Sequence, residues 1–450
     1  MATPRERVLS DSVEYSKKVP VVSEYDFIVA GGGMAGFGAA CAAASRGIKT
    51  LLLERLEVLG GAGSSGGVAN WSYHGGPPIG QGEVFDSVLA GQRKMKSIGE
   101  ENGYRAFYQE AGEDGVATDN KNAPYHNTTF DHATLPIILQ HIATERGVDL
   151  LFSTAVVGAC MAGGRLTEVI IHNRSLLQAV RGRVFLDGTG DGILSQHAGA
   201  DILPVEDPKH PEMIHPSLFV YLRRQDLPHE QPVLEPEIDA SAPEFSYGAW
   251  PEPGRISLKF KIPEMRVDTG SGQGYSDATA EFRRRVPEVI RDFQKNCNPG
   301  KWGTGYGLES VAPLLGAREG RRIVGEYILT VEDVRAGRWF PDSVCFAKSV
   351  LDSQDFDEAV PAYQIPYRTL LVKGVENLFV SGRCFSADRL AMSSARVMAT
   401  GCLMGQAAGI AAAESLELGI PIRDVDPRRI REALLMDAGE QDFMRRHLCP

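Results

Sequence analysis

The sequence predicts an α/β protein whose main domain is a parallel β-sheet extended by a β-meander, with a mixed α+β domain inserted into it. Two observations predict this fold class. Strand and helix patterns alternate in residues 25–54 and 131–152 and return from Val375, which is typical of a layered parallel sheet. Between residues 203 and 255 the composition changes, because Pro, Glu and Asp cluster there. The expected boundaries are 20–205 and 360–435 for the main domain and 206–359 for the insertion.

The first alternation is a β-α-β unit. Tyr25–Ala30 is a short apolar run, Met34–Arg46 is rich in Ala and free of Pro, and Lys49–Glu54 is a second apolar run. Gly47 is a suitable carboxyl-terminal cap for the helix between them. These residues therefore predict two strands joined by a helix.

The second alternation leads into the β-meander. Asp131 can begin a helix that ends at Gly147, and Val148–Phe152 is the next apolar strand. Two β-rich runs then flank Gly163–Gly164, which is the pattern of a β-hairpin. Arg183–Leu186 follows as a buried strand that leads into a short glycine motif.

Composition excludes several classes of function. The chain has 450 residues, 43% hydrophobic and 23% charged, as in ordinary globular proteins. Its formal net charge of −11 argues against a nucleic-acid surface, although a local basic pocket for an anionic substrate stays open. No apolar run reaches the length of a membrane span, and the seven cysteines show no C-x-x-C spacing. We expect a soluble, cytoplasmic protein with reduced thiols and no metal site.

The strongest motif is Gly31-Gly32-Gly33-Met34-Ala35-Gly36, a G-x-G-x-x-G pattern between the first strand and the first helix. Gly31 permits a tight turn, Gly33 lets the backbone approach a pyrophosphate, and Gly36 lets the helix pack close to the sheet. Met34 and Ala35 open the helix, and its amino-terminal N–H groups favour phosphate. The motif therefore predicts a Rossmann-like dinucleotide site.

The residues after this motif bear on which dinucleotide binds, because the motif fits NAD as well as FAD. Glu54 ends the second strand, where its carboxylate would accept hydrogen bonds from a ribose hydroxyl and disfavour a 2′-phosphate. Arg55 follows, and a second glycine-rich stretch, Leu59–Gly67, comes soon after. Such a stretch is unusual for NAD dehydrogenases and would follow the rest of an extended dinucleotide. Its expected contact residues are Gly60, Gly61, Ala62, Ser65 and Gly66.

Four blocks of the sequence resemble the FAD-dependent oxidoreductases of the glutathione-reductase-like superfamily, and specifically the broad FAD-dependent oxidoreductase family. The blocks are Tyr25–Gly61, Arg181–Asp201, Gly316–Asp342 and Tyr363–Ala413. The resemblance implies FAD as the cofactor. It also implies an adenine contact through the segment that contains Val156 and Val157. The family's second short glycine motif, which closes over the dinucleotide, would correspond to Gly188, Gly190 and Asp191.

The carboxyl-terminal block resembles the flavin end of the family. Gly382 and Arg383 follow the last apolar strand and match the place where the chain meets the ribityl-pyrophosphate. We expect a long helix to start after Ser393–Ser394 and to direct its amino-terminal N–H groups at the flavin pyrimidine. Ala395 and Arg396 would lie in its first turn. Arg396 would contact the flavin carbonyl edge or a substrate anion, or form an ion pair on the helix surface.

Three residues are candidates for the substrate side. His74 follows the second glycine stretch and is the first candidate for the base that removes a substrate proton. A covalent link to the flavin and a structural role in a loop stay open for His74. His126 is the second candidate. Arg368 lies between two strand patterns of the fourth block and is the candidate for binding a substrate anion.

These features predict an enzyme that oxidises a small organic substrate at a C–H bond by hydride transfer to FAD, with reoxidation by oxygen or another acceptor. No second G-x-G-x-x-G motif and no redox dithiol is present, which argues against a dedicated NAD(P)H site. An FAD-dependent monooxygenase is the alternative. A flavoprotein of assembly or RNA modification is a third interpretation, against which the acidic balance counts. The expected partner is a small-molecule substrate, and a homo-oligomer stays open.

Overall fold

The computed structural model describes residues 15–74, 82–102, 108–109, 125–204, 214–224, 246–252, 255–262, 265, 270–296, 305–352 and 357–434. The chain forms two compact units. Among the described residues, the smaller unit takes 15–16, 65–69 and those between 214 and 319, and the larger unit takes the rest. The smaller unit therefore differs from the expected insertion, residues 206–359, because the chain has already returned to the larger unit at Gly320.

The strands of the described ranges vary in length, from two residues to twelve. They are β1 Val21–Ala30, β2 Thr50–Leu53, β3 Asn70–His74, β4 Tyr108–Gln109, β5 Tyr125–Phe130, β6 Asp149–Leu151, β7 Ala155–Ala162, β8 Arg165–Asn173, β9 Leu176–Asp187, β10 Ile202–Leu203, β11 Leu218–Arg224, β12 Ser246–Glu252, β13 Arg255–Lys261, β14 Tyr306–Val311, β15 Arg322–Ile323, β16 Ser343–Ala347, β17 Leu351–Asp352, β18 Asp357–Glu358, β19 Tyr363–Pro366 and β20 Leu378–Val380.

The helices differ widely in length, from single turns to 25 residues. They are α1 Met34–Ala44, α2 Glu83–Asn102, α3 Leu135–Glu145, α4 Ile193–His197, α5 Gly272–Asn296, α6 Val331–Arg335, α7 Arg389–Ala395, α8 Met398–Leu418 and α9 Pro427–Leu434. Among the helices that the structure describes, none is long and apolar enough to cross a membrane.

The main sheet of the larger unit joins a parallel part to an antiparallel part through one long strand. The order is β6-β2-β1-β9-β8-β7, and β20 also pairs with β9. Strands β6, β2, β1, β9 and β20 are parallel, whereas β7, β8 and β9 form an antiparallel meander. Gly163 and Gly164, with φ of 58° and 80°, form the turn between β7 and β8. The predicted α/β class, with its parallel sheet and β-meander, is confirmed.

Helices α1 and α8 of the larger unit pack with their backbones in close approach. A Cβ at Gly405 would overlap the Ala35 carbonyl oxygen, and a Cβ at Gly409 would overlap that of Ala39. From the other side, a Cβ at Gly38 would lie 2.5 Å from the carbonyl oxygen of Cys402. The Ala/Gly composition of both helices therefore serves this contact, because any larger side chain would separate them.

The smaller unit contains one antiparallel sheet and one long helix. The strand order is β12-β13-β11-β14. Buried residues of β11 and β13 pack with apolar residues of α5 in a separate core, which includes Val220, Leu258, Phe282 and Val289. This architecture confirms a mixed α+β composition for the smaller unit.

Candidate functional site

The glycine turn after β1 is held in place by direct backbone contacts. Gly31 has φ of 99°, in the left-handed region, and its N–H donates to the carbonyl oxygen of Leu53 at 2.8 Å. A Cβ at Gly31 would lie 2.5 Å from the carbonyl oxygen of Gly188, and a Cβ at Gly36 would overlap the carbonyl oxygen of Gly31. Two glycines of the motif are therefore required by the protein's own packing.

Gly33 differs from these two glycines, because a Cβ placed on it would meet no protein atom within 4 Å. Its φ of −67° and ψ of 175° are available to any residue. Gly33 is also the N-cap of α1, where no side chain caps the helix and the first turn contains no acidic residue. The open space therefore lies at a helix amino-terminus, and the positive end of the helix dipole suits a phosphate there.

The second glycine stretch lies against the first. The N–H of Gly60 donates to the carbonyl oxygen of Gly32 at 2.8 Å, and Gly60 forms a parallel bridge with Gly33. A Cβ on Gly61 would lie 3.2 Å from the Cα atom of Gly33. A Cβ on Gly63 would lie 3.0 Å from the sulfur of Met398, the first residue of α8. The stretch thus runs from the amino-terminus of α1 to that of α8.

The remaining residues expected in this stretch have different surroundings. Ala62 is exposed. Ser65 and Gly66 belong to the smaller unit, where the Ser65 carbonyl oxygen accepts from the N–H of Leu314 at 2.9 Å. A role of Ser65 and Gly66 in cofactor binding stays a prediction.

Glu54 is a buried carboxylate at the end of β2. One oxygen accepts the N–H of Gly32 at 2.6 Å, and the other accepts the N–H of Leu56 at 2.8 Å. Its carbonyl oxygen accepts the N–H of Thr154 at 2.9 Å, just before β7. A carboxylate has about four lone-pair sites, so further donors such as ribose hydroxyls can still be accommodated. Beside it, Arg55 is exposed.

The expected adenine-contacting segment is the beginning of β7. Val156 is partly buried against the core of the larger unit, whereas Val157 is 41% exposed. Thr154 joins this segment to Glu54, so the structure brings together the expected ribose and adenine contacts.

Asp187, the last residue of β9, organises the short glycine motif that follows. It is fully buried, and one oxygen accepts the N–H and hydroxyl of Thr189 at 3.0 and 2.7 Å. The other oxygen accepts the N–H of Ser195 in α4 at 2.8 Å. A Cβ on Gly188 would lie 3.1 Å from the N atom of Gly36. The second glycine motif therefore packs directly on the first.

An ion pair joins the loops after β9 and β20. Arg383 donates to Asp191 at 2.7 Å, and both side chains are about three-quarters buried. Gly190, with φ of 76°, lies under the guanidinium, because a Cβ there would come within 3.3 Å of it. Gly320 packs on the same pair. Gly320 lies in the block Gly316–Asp342, but the sequence of that block does not predict this contact.

Gly382 brings the carboxyl-terminal block to the first helix. Its φ is 77°, and a Cβ there would lie 2.9 Å from the Cβ of Ala35. A Cβ on Gly401 in α8 would lie 3.9 Å from both the Cβ of Ala35 and the Cα of Gly382. The first turns of α1 and α8 and the loop after β20 therefore meet at one place.

The predicted helix start after Ser393–Ser394 is wrong. These serines lie inside α7, which Asp388 begins by capping the N–H of Ala391 at 2.7 Å. Arg396 is the C-cap of α7, and α8 begins two residues later, after the extended residue Val397. Because the capping carboxylate starts a helix earlier, the first turn of the long helix begins at residue 398, and Ala395 and Arg396 lie outside it.

Arg396 forms an ion pair with Asp352 at 2.6 Å, and both side chains are mostly buried. Ala395 is fully buried. An ion pair was one of the contacts expected for Arg396. Contact of Ala395 or Arg396 with the flavin stays a prediction.

The substrate-side candidates are placed only in part. His74 ends β3, and His126 lies on the neighbouring β5, where its register partner is Tyr73. Both histidine side chains lie outside the described part of the structure. Arg368 donates to Asp342 at 2.8 Å and lies 5.0 Å from the centre of the Tyr327 ring. The guanidinium of Arg368 is therefore positioned by contacts within the protein. Its role in binding a substrate anion stays a prediction.

One cysteine, Cys384, lies beside the Asp191–Arg383 ion pair. Cys384 follows Arg383 and is fully buried. Burial raises the pKa of its thiol well above the ordinary value, with a smaller contribution from the nearby Asp187 carboxylate. A thiol in such surroundings stays protonated and unreactive.

The two glycine stretches, Glu54 and the amino-terminus of α8 together fit an extended dinucleotide. The helix amino-terminus at Gly33 offers space and positive potential for a diphosphate, and Glu54 offers acceptors for a ribose. Gly60–Gly63 leads from this helix end to the amino-terminus of α8, where the rest of an extended dinucleotide would lie. FAD, when bound, supplies two-electron redox chemistry that these side chains lack.

Comparison with known proteins gives one family match. A family model described as FAD dependent oxidoreductase matches residues 26–434. No curated protein gives a significant match.

Several solved structures are similar to the chain. They include p-nitrophenol 4-monooxygenase PnpA from Pseudomonas putida DLL-E4, with 12% identity over 94% of this chain and 89% of that chain and a TM-score of 0.48. A geranylgeranyl bacteriochlorophyll reductase-like protein from Thermoplasma acidophilum has 15% identity over 94% and 84% of the chains and a TM-score of 0.44. These values are too low to carry an argument about the reaction. The family model, in contrast, spans nearly all of the chain, and the protein belongs to the FAD-dependent oxidoreductase family, with FAD as its cofactor.

Proposed function

We propose that this protein uses FAD held along Gly31–Gly36 to oxidise a small organic substrate at a C–H bond, with hydride passing to the flavin. The observation that supports this placement is the open space in front of Gly33, at the uncapped amino-terminus of α1. The sequence contains one dinucleotide motif, which supports an organic molecule rather than NAD(P)H as the electron donor.

In this proposal the chain's own residues bind and orient the cofactor. The N–H groups at the start of α1 would hold the diphosphate, and the Glu54 carboxylate would accept a hydrogen bond from the ribose. The amino-terminus of α8 supplies a second positive dipole end for the flavin, in place of the helix start expected after Ser394. Gly382 permits the loop after β20 to approach α1 closely enough for both helix ends to contribute.

A second candidate reaction is monooxygenation, in which one oxygen atom of O₂ enters the substrate. The names of several similar structures describe such enzymes, including PnpA and the anhydrotetracycline hydroxylase OxyS from Streptomyces rimosus. This reaction needs reducing equivalents from NAD(P)H or from a reductase. The two candidates therefore differ in what reduces the flavin.

An anaerobic reduction experiment separates them. The purified protein, with FAD bound, is mixed without oxygen with alcohols, amines, hydroxy acids and sugars, and separately with NADPH, while the flavin absorbance is recorded. Bleaching by an organic compound alone supports the proposed oxidation. Reduction only by NADPH, followed by incorporation of ¹⁸O from O₂ into an added substrate, would instead support monooxygenation.

The base and the anion-binding residue need their own variants. We propose that His74, or secondarily His126, removes the substrate proton and that Arg368 binds a substrate anion. His74→Ala, His126→Ala and Arg368→Gln should each keep FAD and reduce it more slowly with the identified substrate. A variant with an unchanged reduction rate removes that residue from the proposal.

A further inference from the structure

Three segments that are distant in the sequence meet at the Asp191–Arg383 ion pair. Asp191 lies in the loop after β9, Arg383 lies in the loop after β20, and Gly320 begins the segment that leads into β15. Ligands of parallel α/β sheets bind outside the carboxyl ends of the strands, which is where both loops begin. The ion pair therefore joins two loops that begin at the carboxyl ends of neighbouring parallel strands.

Gly320 is buried and is in contact with both partners of the pair. A Cβ at Gly320 would lie 2.5 Å from Nη1 of Arg383 and 3.1 Å from Oδ1 of Asp191. The backbone of Gly320 is not in the left-handed region, so its own conformation does not require glycine. A Cβ there would instead force the Arg383 guanidinium to shift from its present position.

A second arginine contacts the loop that contains Asp191. Arg321 donates to the Asp191 carbonyl oxygen at 3.4 Å. Gly188, three residues before Asp191, packs on Gly36 of the phosphate-binding turn.

We propose that Gly320 is a positioning residue for FAD: it leaves the room in which Arg383 pairs with Asp191, and this pair holds the loops after β9 and β20 at the spacing that receives the cofactor. The inference rests on FAD as the cofactor and on the proposed site, but not on which substrate is oxidised. Gly320 itself does not contact the reacting atoms in this proposal.

The test uses Gly320→Ala in the full-length protein, stripped of FAD and titrated with it. The added methyl displaces the Arg383 guanidinium, and we expect the FAD dissociation constant to rise about tenfold, equivalent to roughly 1.4 kcal/mol. The matched control is Gly272→Ala in the smaller unit, because a Cβ there would meet nothing within 4 Å. The control should bind FAD as the wild type does.

A second variant distinguishes positioning from general damage to the fold. Lys at position 383 is unbranched and lacks the Nη1 atom that the new methyl would meet. Adding Arg383→Lys to Gly320→Ala should therefore recover most of the lost affinity, although Arg383→Lys alone weakens binding. The visible spectrum of bound FAD should recover in parallel.

Asp191→Asn breaks the same ion pair without adding volume and should also weaken FAD binding. The positioning role is overturned if Gly320→Ala binds FAD within a factor of about two of the wild type. It is also overturned if Gly320→Ala and the double variant lose equal affinity, or if Asp191→Asn binds normally. Failure of the wild-type protein to bind FAD would overturn the cofactor assignment itself, which is a separate outcome.

Discussion

The backbone N–H of Gly32 donates a hydrogen bond of 2.6 Å to the Glu54 carboxylate. The second carboxylate oxygen accepts the N–H of Leu56 at 2.8 Å, and the residue is only 6% exposed. One buried side chain thus fixes the glycine turn relative to the chain that leaves β2. Glu54 therefore has a structural role in addition to its proposed contact with the ribose.

Glu54→Gln should destabilise the protein and weaken FAD binding. One carboxylate oxygen becomes an NH₂ group, so one buried backbone N–H faces a donor instead of an acceptor. We expect the free energy of unfolding without FAD to fall by about 1–3 kcal/mol, measured by urea unfolding. Glu57→Gln is the control, because Glu57 has a side chain that is 72% exposed. Equal stability of the two variants would contradict the role of Glu54.

Gly33→Ala should weaken FAD binding without affecting folding, whereas Gly36→Ala should destabilise the fold itself. A methyl at residue 33 meets no protein atom, so the variant should unfold at the wild-type temperature without FAD. The same methyl occupies the proposed diphosphate space and should weaken FAD binding by at least about tenfold. Gly36→Ala overlaps the Gly31 carbonyl oxygen and should lower the unfolding temperature even without FAD. Normal FAD affinity of folded Gly33→Ala would exclude this space as the diphosphate site.

Gly405→Ala should destabilise the contact between α1 and α8, whereas Gly401→Ala should be tolerated. The methyl at residue 405 would overlap the backbone of Ala35, which can move only if the two helices separate. We expect a loss of about 1–3 kcal/mol in unfolding free energy without FAD. At Gly401 the nearest atoms are at 3.9 Å, an ordinary contact, and Ala favours the helix. Similar losses for both variants would mean that helix packing is not the cause.

Asp388 should make the protein relatively more stable as the pH falls. Its carboxylate caps α7 and also accepts the N–H of Val331 in α6, and desolvation raises its pKa above the ordinary value. A raised pKa in the folded state means a stabilising contribution that is complete below the unfolded pKa and is lost as the pH rises through the folded pKa. The stability of the wild type relative to Asp388→Asn should therefore be greater at pH 4 than at pH 7.5. Urea unfolding of both proteins at the two pH values measures this difference.

Asp426 provides the opposite sign for comparison. Hydrogen bonds from the Arg428 side chain lower the pKa of Asp426 to about 2. Its contribution is present above the unfolded pKa and is lost as the pH falls toward about 2. The stability of the wild type relative to Asp426→Asn should thus decrease from pH 5 to pH 3. A change of the same sign for Asp388 and Asp426 would contradict the desolvation of Asp388.

Local patterns predicted the parts of the fold in which neighbours along the chain determine the conformation. The glycine turn, the helix after it and the hairpin at Gly163–Gly164 all follow from short-range steric and hydrogen-bond preferences. The helix start after Ser393–Ser394 was predicted wrongly, because Asp388 caps a separate short helix and the chain becomes extended at Val397. At the break, Arg396 pairs with Asp352, a residue that is remote in sequence.

The sequence by itself determined the dinucleotide-binding class, since a glycine turn between a strand and a helix has few other uses and its spacing is local. Only the tertiary structure decided which glycines serve packing and which serves the ligand. A Cβ on Gly31 would meet the backbone of Gly188, and a Cβ on Gly36 would meet the backbone of Gly31. Gly33, in contrast, faces open space. The tertiary structure also showed that Gly320 contacts the Asp191–Arg383 pair. The three residues are far apart in the sequence, so no local pattern predicts this contact.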